Sequence, residues 1–397
     1  MPPMQSSRKD KGGRERHCGV PRSRGWITVP FPGAYLVPHC SGLTRTSVRY
    51  YLEPIMAIGA LALPETLDRP EDTSEAIASP RLFKATGARK TPQVEWVEIQ
   101  VKSVLNRVKG MPFEWSINPY RGCGHGCSFC YARVTHWYMD QDGVNDWSSR
   151  IFVKVNAPEV LRSELARSDW THEDVAVGTA TDPYQPAEGA YRLTRRILEA
   201  LHDFRTPVSL ITRSPMVTRD IDLLQRMSRT SGASVCFSIV TMDPELSQEL
   251  EPHVAPPLKR LEALRTLANA GIETSVNLAP VIPRITDNEQ NLAEVIRAAK
   301  YYGACQLWTN ALHLGEVVRD SFFKYLHEKR PHLIPEYERM YTKRYAPKEY
   351  QDYVQRIVEA VKIKNGFSNG ARHRGHADDR PSPQGTQQLQ LFSQVDV

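Results

Sequence analysis

Cys123, Cys127 and Cys130 lie in the run Asn118-Pro119-Tyr120-Arg121-Gly122-Cys123-Gly124-His125-Gly126-Cys127-Ser128-Phe129-Cys130-Tyr131-Ala132-Arg133. Thiolates are soft ligands for iron and zinc. The spacing C-x3-C-x2-C puts three of them on one short loop, and Gly122, Gly124 and Gly126 let the backbone wrap closely around a bulky group. Two metal chemistries compete for such a loop. Structural zinc closes four ligands; here the fourth would be His125, wedged between glycines, and no second C-x2-C pair occurs in the chain. A [4Fe-4S] cluster held by three thiolates leaves one iron open to a substrate or cofactor. The absent fourth ligand is a defect for zinc and a requirement for an open iron, so the cluster is the preferred reading. Tyr131, directly after the last cysteine, either packs over the cluster, contacts the substrate or fills the core.

The remaining cysteines, Cys18, Cys40, Cys236 and Cys305, are scattered, and the total of seven is odd. This fits a reducing compartment and a metal site better than a disulfide framework, and leaves no second cluster motif. No run of about 18 apolar residues reads as a membrane span, and the N-terminus has no apolar signal-peptide core; a cytoplasmic protein with no membrane association is expected. The net charge of +6 is confined to residues 1–55, which carry nine Lys or Arg against three Asp or Glu. The formally neutral remainder gives no bulk argument for nucleic-acid binding, although a local basic groove is compatible with it.

The elements that must position the cysteines follow from periodicity. Short apolar runs at Glu114–Asn118, Val175–Thr181, Val208–Arg213, Ser234–Thr241, Thr274–Val281 and Cys305–Ala311 alternate with amphipathic stretches at Pro158–Ala166, Leu193–His202, Arg219–Arg229, Leu258–Ala270 and Asn288–Tyr302. This alternation predicts an α/β fold, an incomplete (β/α)6 barrel over 111–312 with its reactive residues at the C-terminal strand ends. Ile151–Val155 is a candidate extra strand, Val94–Leu105 a short strand or helix, and Gly271 a helix stop. Residues 313–364 predict a helical C-terminal extension over the open side or bottom of the barrel, with Phe322, Phe323, Tyr325 and Leu326 as one apolar patch. Residues 56–110 read as linker and lead-in. Residues 1–55 read as a disordered basic arm or as sequence upstream of a start at Met56, and 365–397 as a disordered tail.

The cysteine run resembles the signature of radical S-adenosylmethionine (SAM) enzymes. The span from about 110 to 340 is similar to their spore photoproduct lyase-like group, often called DNA repair photolyases, and within it to the uncharacterised bacterial members. The resemblance is carried by Asn118-Pro-Tyr-Arg-Gly-Cys, Thr181-Asp182-Pro183-Tyr184-Gln185-Pro186-Ala187-Glu188, Leu193-Thr194-Arg195-Arg196, Ile211-Thr212-Arg213-Ser214-Pro215, Arg219-Asp220-Ile221-Asp222-Leu223-Leu224, Phe237-Ser238-Ile239, Leu250-Glu251-Pro252, Arg260-Leu261 and Pro280-Val281-Ile282-Pro283. It implies a radical SAM barrel, a [4Fe-4S] cluster on Cys123, Cys127 and Cys130, and reductive cleavage of SAM to a 5'-deoxyadenosyl radical. It also implies an electron donor such as flavodoxin or ferredoxin, and DNA as a candidate substrate. Motif position implies that Thr181, Asp182, Arg213 and Ser238 cradle SAM, with Arg213 on its carboxylate, and that Asn277–Pro283 lines the adenine. Glu188 either binds the SAM amino group or caps the next helix.

One position departs from the group. Where the lyase keeps a hydrogen-donating cysteine this chain has Thr179, whose O–H bond is too strong for that role, which argues against lyase activity in its known form. Cys236 is a candidate substitute: it precedes Ser238 by two residues, so both share a strand face. The competing reading is a small buried core cysteine. The tail run Gln388-Leu389-Gln390-Leu391-Phe392 resembles the peptide with which bacterial proteins grip the DNA sliding clamp, with Gln388, Leu389, Leu391 and Phe392 as anchors. The leading expectation is a radical SAM enzyme for nucleic-acid repair or modification. The alternatives are a radical SAM enzyme acting on a peptide or small molecule, and a non-catalytic Fe-S protein associated with DNA.

Overall fold

The computed structural model describes Arg81–Leu82 and residues 94–109, 111 and 113–367. The expectations for residues 1–55, for most of the lead-in, for nearly all of the tail and for Gln388, Leu389, Leu391 and Phe392 lie outside these residues. The strands are β1 (Arg81–Leu82), β2 (Glu95–Ile99), β3 (Asn106–Arg107), β4 (Trp115–Ile117), β5 (Tyr120–Arg121), β6 (Arg150–Lys154), β7 (Val175–Val177), β8 (Val208–Thr212), β9 (Ala233–Ser238), β10 (Glu273–Val281) and β11 (Gln306–Ala311).

Two sheets form. The larger has the order β11-β10-β9-β8-β7-β4-β3, with parallel pairing from β11 through β4 and an antiparallel edge at β3. Its six parallel strands are the six expected from the sequence, connected through helices as a partial barrel. Ile151–Val155 does form a strand, β6, and the lead-in resolves to strand β2. Both belong to the second sheet, of order β1-β2-β6-β5, and not to the barrel. Their apolar residues seek a different surface: Ile151 and Val153 pack with Tyr120, Ala187 and Leu193.

The strand pattern explains why the barrel has a polar interior. Val175 and Val177, Val208 and Leu210, Val235 and Phe237, and Val276 and Leu278 point outward into one core shared with the helices. Side chains alternate along a strand, so Ser209, Ser234, Cys236, Ser238, Ser275 and Asn277 take the inner face. The helices match this outer core. Leu193–Asp203 contributes Ile197, Leu198 and Leu201, and Pro257–Asn269 contributes Leu261, Leu264 and Leu267. The latter stops at Gly271, as expected, in the left-handed region at φ +78°.

The C-terminal extension comprises helices Glu316–Lys329, Ile334–Met340 and Lys348–Lys364. The expectation that it covers the open side or bottom is corrected in part. Val318, Phe322, Tyr325 and Leu326 pack with Cys127 and Phe129 and with Val240, Ile282 and Leu312, which follow β9, β10 and β11. The extension thus seats on the C-terminal ends of these strands and buries one side of the cysteine loop, while Val354 and Val358 join the barrel core. Among the described residues no helix is long and apolar enough to cross a membrane.

Gly178, immediately after β7, fixes the turn that carries Thr179–Asp182. It has φ +98°, and an added Cβ would lie 2.4 Å from the Ile211 carbonyl oxygen and 2.6 Å from Pro183 Cδ. Both the conformation and the space demand glycine. Gly178→Ala is expected to cost on the order of 3 kcal/mol, read as a lower midpoint in urea denaturation.

Candidate active site

The cysteine loop is fastened on every side. Cys123 N donates to Trp147 O at 3.0 Å and Ser128 N to Leu250 O at 3.0 Å. Gly124 N donates to Gln185 Oε1 at 2.9 Å, and buried Arg133 donates to the carbonyls of Cys127, Gly143 and Val144 at 2.9, 3.1 and 3.0 Å. These bonds satisfy the loop's backbone from outside, leaving its interior to the three thiols. All three line one cavity, with an empty volume of about 1210 Å³ including its mouth. Burial pushes the Cys127 and Cys130 thiols above their ordinary range. Among the described residues no three His, Cys, Asp or Glu side chains converge where a single metal ion could sit. A cluster asks less, since each cysteine binds its own iron.

The cavity also tests the fit of a polar cofactor. Buried Trp147 Nε1, Asn277 Oδ1, Asn310 Oδ1 and both ring nitrogens of His313 have no hydrogen-bond partner, and all four residues line this one space. Unpaired buried polar groups are costly and uncommon, so their gathering here matches a ligand rich in donors and acceptors. SAM, with an amino acid at one end and a nucleoside at the other, fits that description, as three thiols around a common space fit a cluster.

Thr181, Asp182, Arg213, Ser238, Asn277 and Tyr131 all line the cavity. Several of their polar groups are committed to the protein. Thr181 donates to Gly122 O at 2.7 Å and accepts from Gln185 Nε2 at 2.9 Å, so its hydroxyl holds the cysteine loop. Asp182 accepts from Thr212 Oγ1 and from the Arg213 backbone, both at 2.7 Å. Its Oδ2 lies 3.2 Å from His125 Nδ1. Burial alone would raise this carboxyl, but His125, Thr212 and the Arg213 N–H hold it below the ordinary range. Burial likewise works against charge on His125, yet Asp182 and Cys123 lift it to about 10. Arg213 lies over the Phe129 ring at 5.6 Å and donates to Glu251 Oε1 at 2.8 Å. Ser238 and Asn277 are register partners on β9 and β10.

The structure places two expected residues outside the cavity lining. Glu188 does not touch the cavity: its carboxylate accepts from Thr194 N at 2.9 Å, from Tyr120 at 2.5 Å and from Arg219 at 2.6 Å. Of its two expected roles it takes the helix cap, for Leu193–Asp203, because both oxygens are already engaged. Cys236 is on the inner face but one layer beneath Ser238, beside Ser275, and burial raises its thiol to about 11. Thr179 accepts from Asn118 Nδ2 at 3.1 Å, and its carbonyl accepts the Tyr131 hydroxyl.

Sequence reasoning missed Gln185, Arg133, Glu251 and Arg260. All four stand in quoted stretches (Arg133 at the end of the cysteine run, Gln185 in Thr181–Glu188, Glu251 in Leu250-Glu251-Pro252, Arg260 in Arg260-Leu261), and the bare motifs assigned them no partner. It also missed Asn310 and His313, for which no motif offered a signal.

The radical SAM superfamily model matches residues 117–296. An uncharacterised protein of Mycobacterium tuberculosis is 34% identical over 311 residues, covering 77% of this chain and 89% of that protein. A radical SAM Nalpha-GlyT isomerase of Pseudomonas phage M6 is 28% identical over 172 residues, covering 43% of this chain and 34% of that protein. The solved structure of spore photoproduct lyase complexed with a dinucleoside spore photoproduct superposes with a TM-score of 0.52 at 16% identity, covering 69% of this chain and 80% of that one, which shows a shared fold. With the cysteine run at the head of the matched span, the chain belongs to the radical SAM superfamily, whose enzymes work with a [4Fe-4S] cluster and S-adenosylmethionine.

Proposed function

We propose that Cys123, Cys127 and Cys130 bind three irons of the [4Fe-4S] cluster, that SAM occupies the cavity they face, and that the enzyme repairs or modifies a nucleic acid. The observation that carries this reading is the opening of three thiols onto one cavity rich in unpartnered buried polar atoms. When bound, the cluster and SAM supply one electron and a carbon-centred radical. The protein's part is to position and to exclude water. Arg213, fixed by Glu251 and Phe129, offers a guanidinium to the SAM carboxylate. Ser238, Asn277 and Asn310 offer hydrogen-bond partners to its nucleoside. Thr181, Gln185 and Arg133 act by holding the cysteine loop. Tyr131, bonded to the Thr179 carbonyl, stands between the cysteines and the strand end where a donor thiol is missing.

The nucleic-acid part of the reading rests on the fold shared with spore photoproduct lyase, which holds a dinucleoside in its solved complex. It rests also on the tail motif Gln388–Phe392, which would tether the enzyme to a sliding clamp and raise its effective concentration on DNA. A flavodoxin or ferredoxin is the expected electron donor. The test is anaerobic reconstitution, chemical reduction and assay of 5'-deoxyadenosine, with irradiated DNA, undamaged DNA and RNA in parallel. Formation of 5'-deoxyadenosine with a mass change in one nucleic acid supports the reading. Absence of 5'-deoxyadenosine overturns the radical assignment, and its formation with all three nucleic acids unchanged overturns the substrate.

A further inference from the structure

A second cavity lies on the open flank of the barrel, between the β3–β4 edge, the end of β5 and the 3-10 helix Tyr131–Met139, with an empty volume of about 900 Å³ including its mouth. Its lining includes Arg107, Arg121 and Lys154 and, among the described residues, no carboxylate. Arg107 reaches Glu114 at 3.5 Å on the exposed rim. Arg121 and Lys154 are different. They sit on the paired strands β5 and β6, both half-buried, and among the described residues neither has an ion-pair or side-chain hydrogen-bond partner. Two cations placed side by side and partly withdrawn from water repel each other and lose part of their hydration with no return. The strain shows in Lys154, whose ammonium is lowered to about 8 by burial and then by Arg121. Such a pair persists in a fold when something else supplies the negative charge.

Position indicates what that ligand must do. The second cavity shares Tyr131, Thr179 and Ala180 with the cofactor cavity, so the two spaces meet at one wall. An anion held by Arg121 and Lys154 would leave the rest of its molecule directed at the seam beside the cysteines. Tyr138 lines the same space and is 52% exposed, with Trp137 46% exposed next to it. Exposed aromatics beside paired cations are the elements that hold single-stranded nucleic acid, cations on the phosphates and rings against the bases.

We infer that this second cavity is the substrate site, in which Arg121 and Lys154 grip a phosphodiester of an unpaired nucleotide strand while Tyr138 stacks on a base. The inference rests on the nucleic-acid reading above and extends it to named residues. The test uses the full chain, reconstituted anaerobically, and a fluorescein-labelled oligothymidylate followed by anisotropy over a salt series. The double variant Arg121→Gln/Lys154→Gln is expected to bind at least about tenfold more weakly. Its slope of log K against log salt should be shallower by about 1.4, from two lost contacts at about 0.7 each on a single strand. Each single variant should lose about half of that slope, and Lys154→Arg should keep it. Circular dichroism confirms that the variants are folded. Equal affinity and slope in parent and double variant overturn the phosphate site and leave the nucleic-acid reading standing. An acidic peptide of equal charge bound in preference to the oligonucleotide overturns both.

Discussion

Cys127→Ala is expected to abolish the iron-sulfur cluster and all reductive cleavage of SAM. The chain should fall from about four irons bound to a minor residue, and 5'-deoxyadenosine should drop to the level given by reagents alone. The size of the effect follows from the way the loop is held. Its backbone is tied to Trp147, Leu250, Gln185 and Arg133 from outside, so it cannot slide to offer another ligand. No described side chain is placed to replace the thiol. His125 faces Asp182 at 3.2 Å, and Cys236 lies a layer below on β9. Cys236→Ala is the matched control, a buried cysteine whose loss should leave the iron content intact. Iron and sulfide analysis with circular dichroism separates loss of the cluster from loss of the fold. A Cys127→Ala protein that still holds four irons and cleaves SAM would show that the ligand set is wrong.

The barrel was legible because its signal is repetitive. Six apolar runs separated by amphipathic stretches predict parallel strands with helical returns, and all six occur in that order. The second sheet was legible only in part: Ile151–Val155 and Val94–Leu105 offered its two longer strands, β6 and β2, but β1 and β5 are two residues each and nothing in the pattern paired the four into a sheet apart from the barrel. The position of the C-terminal extension was missed because an amphipathic helix says only that one face is covered. Phe322 and Leu326 found the cysteine loop and the strand ends. At the site, the cavity residues that stand in motifs were named, whereas Asn310 and His313, and the Glu251, Arg260 and Arg133 groups that hold the site in place, were not. Glu188 illustrates the limit: a buried glutamate beside a helix start can serve ligand or cap, and only the positions of Thr194, Arg219 and Tyr120 decide between them.

Glu251→Ala is expected to be the most destabilising substitution near the site, at about 3–5 kcal/mol. Glu251 and Arg260 are both fully buried and 2.6 Å apart, and Arg213 reaches the other carboxylate oxygen at 2.8 Å. Burial works against the charge on Glu251, but Arg260 and Arg213 together hold its carboxyl below the ordinary range. A carboxyl with a depressed folded pKa stabilises at neutral pH, and its contribution is lost only as the pH falls through that depressed value. Removing the carboxylate strands Arg260 in the core. Its bonds to the carbonyls of Ser238 and Ala255, at 2.7 and 2.9 Å, do not neutralise the charge. In a body of this size such a loss corresponds to a melting temperature lower by roughly 10 °C. The double variant Glu251→Leu/Arg260→Leu should recover much of it, because no uncompensated charge then remains. Function separates from stability in this cycle. Arg213 loses its anchor in both variants, so SAM affinity should fall in both even where the melting temperature returns. If the double variant melts as low as Glu251→Ala, the cost lies in lost packing and the charge argument fails. If it binds SAM like the parent, Glu251 does not position Arg213.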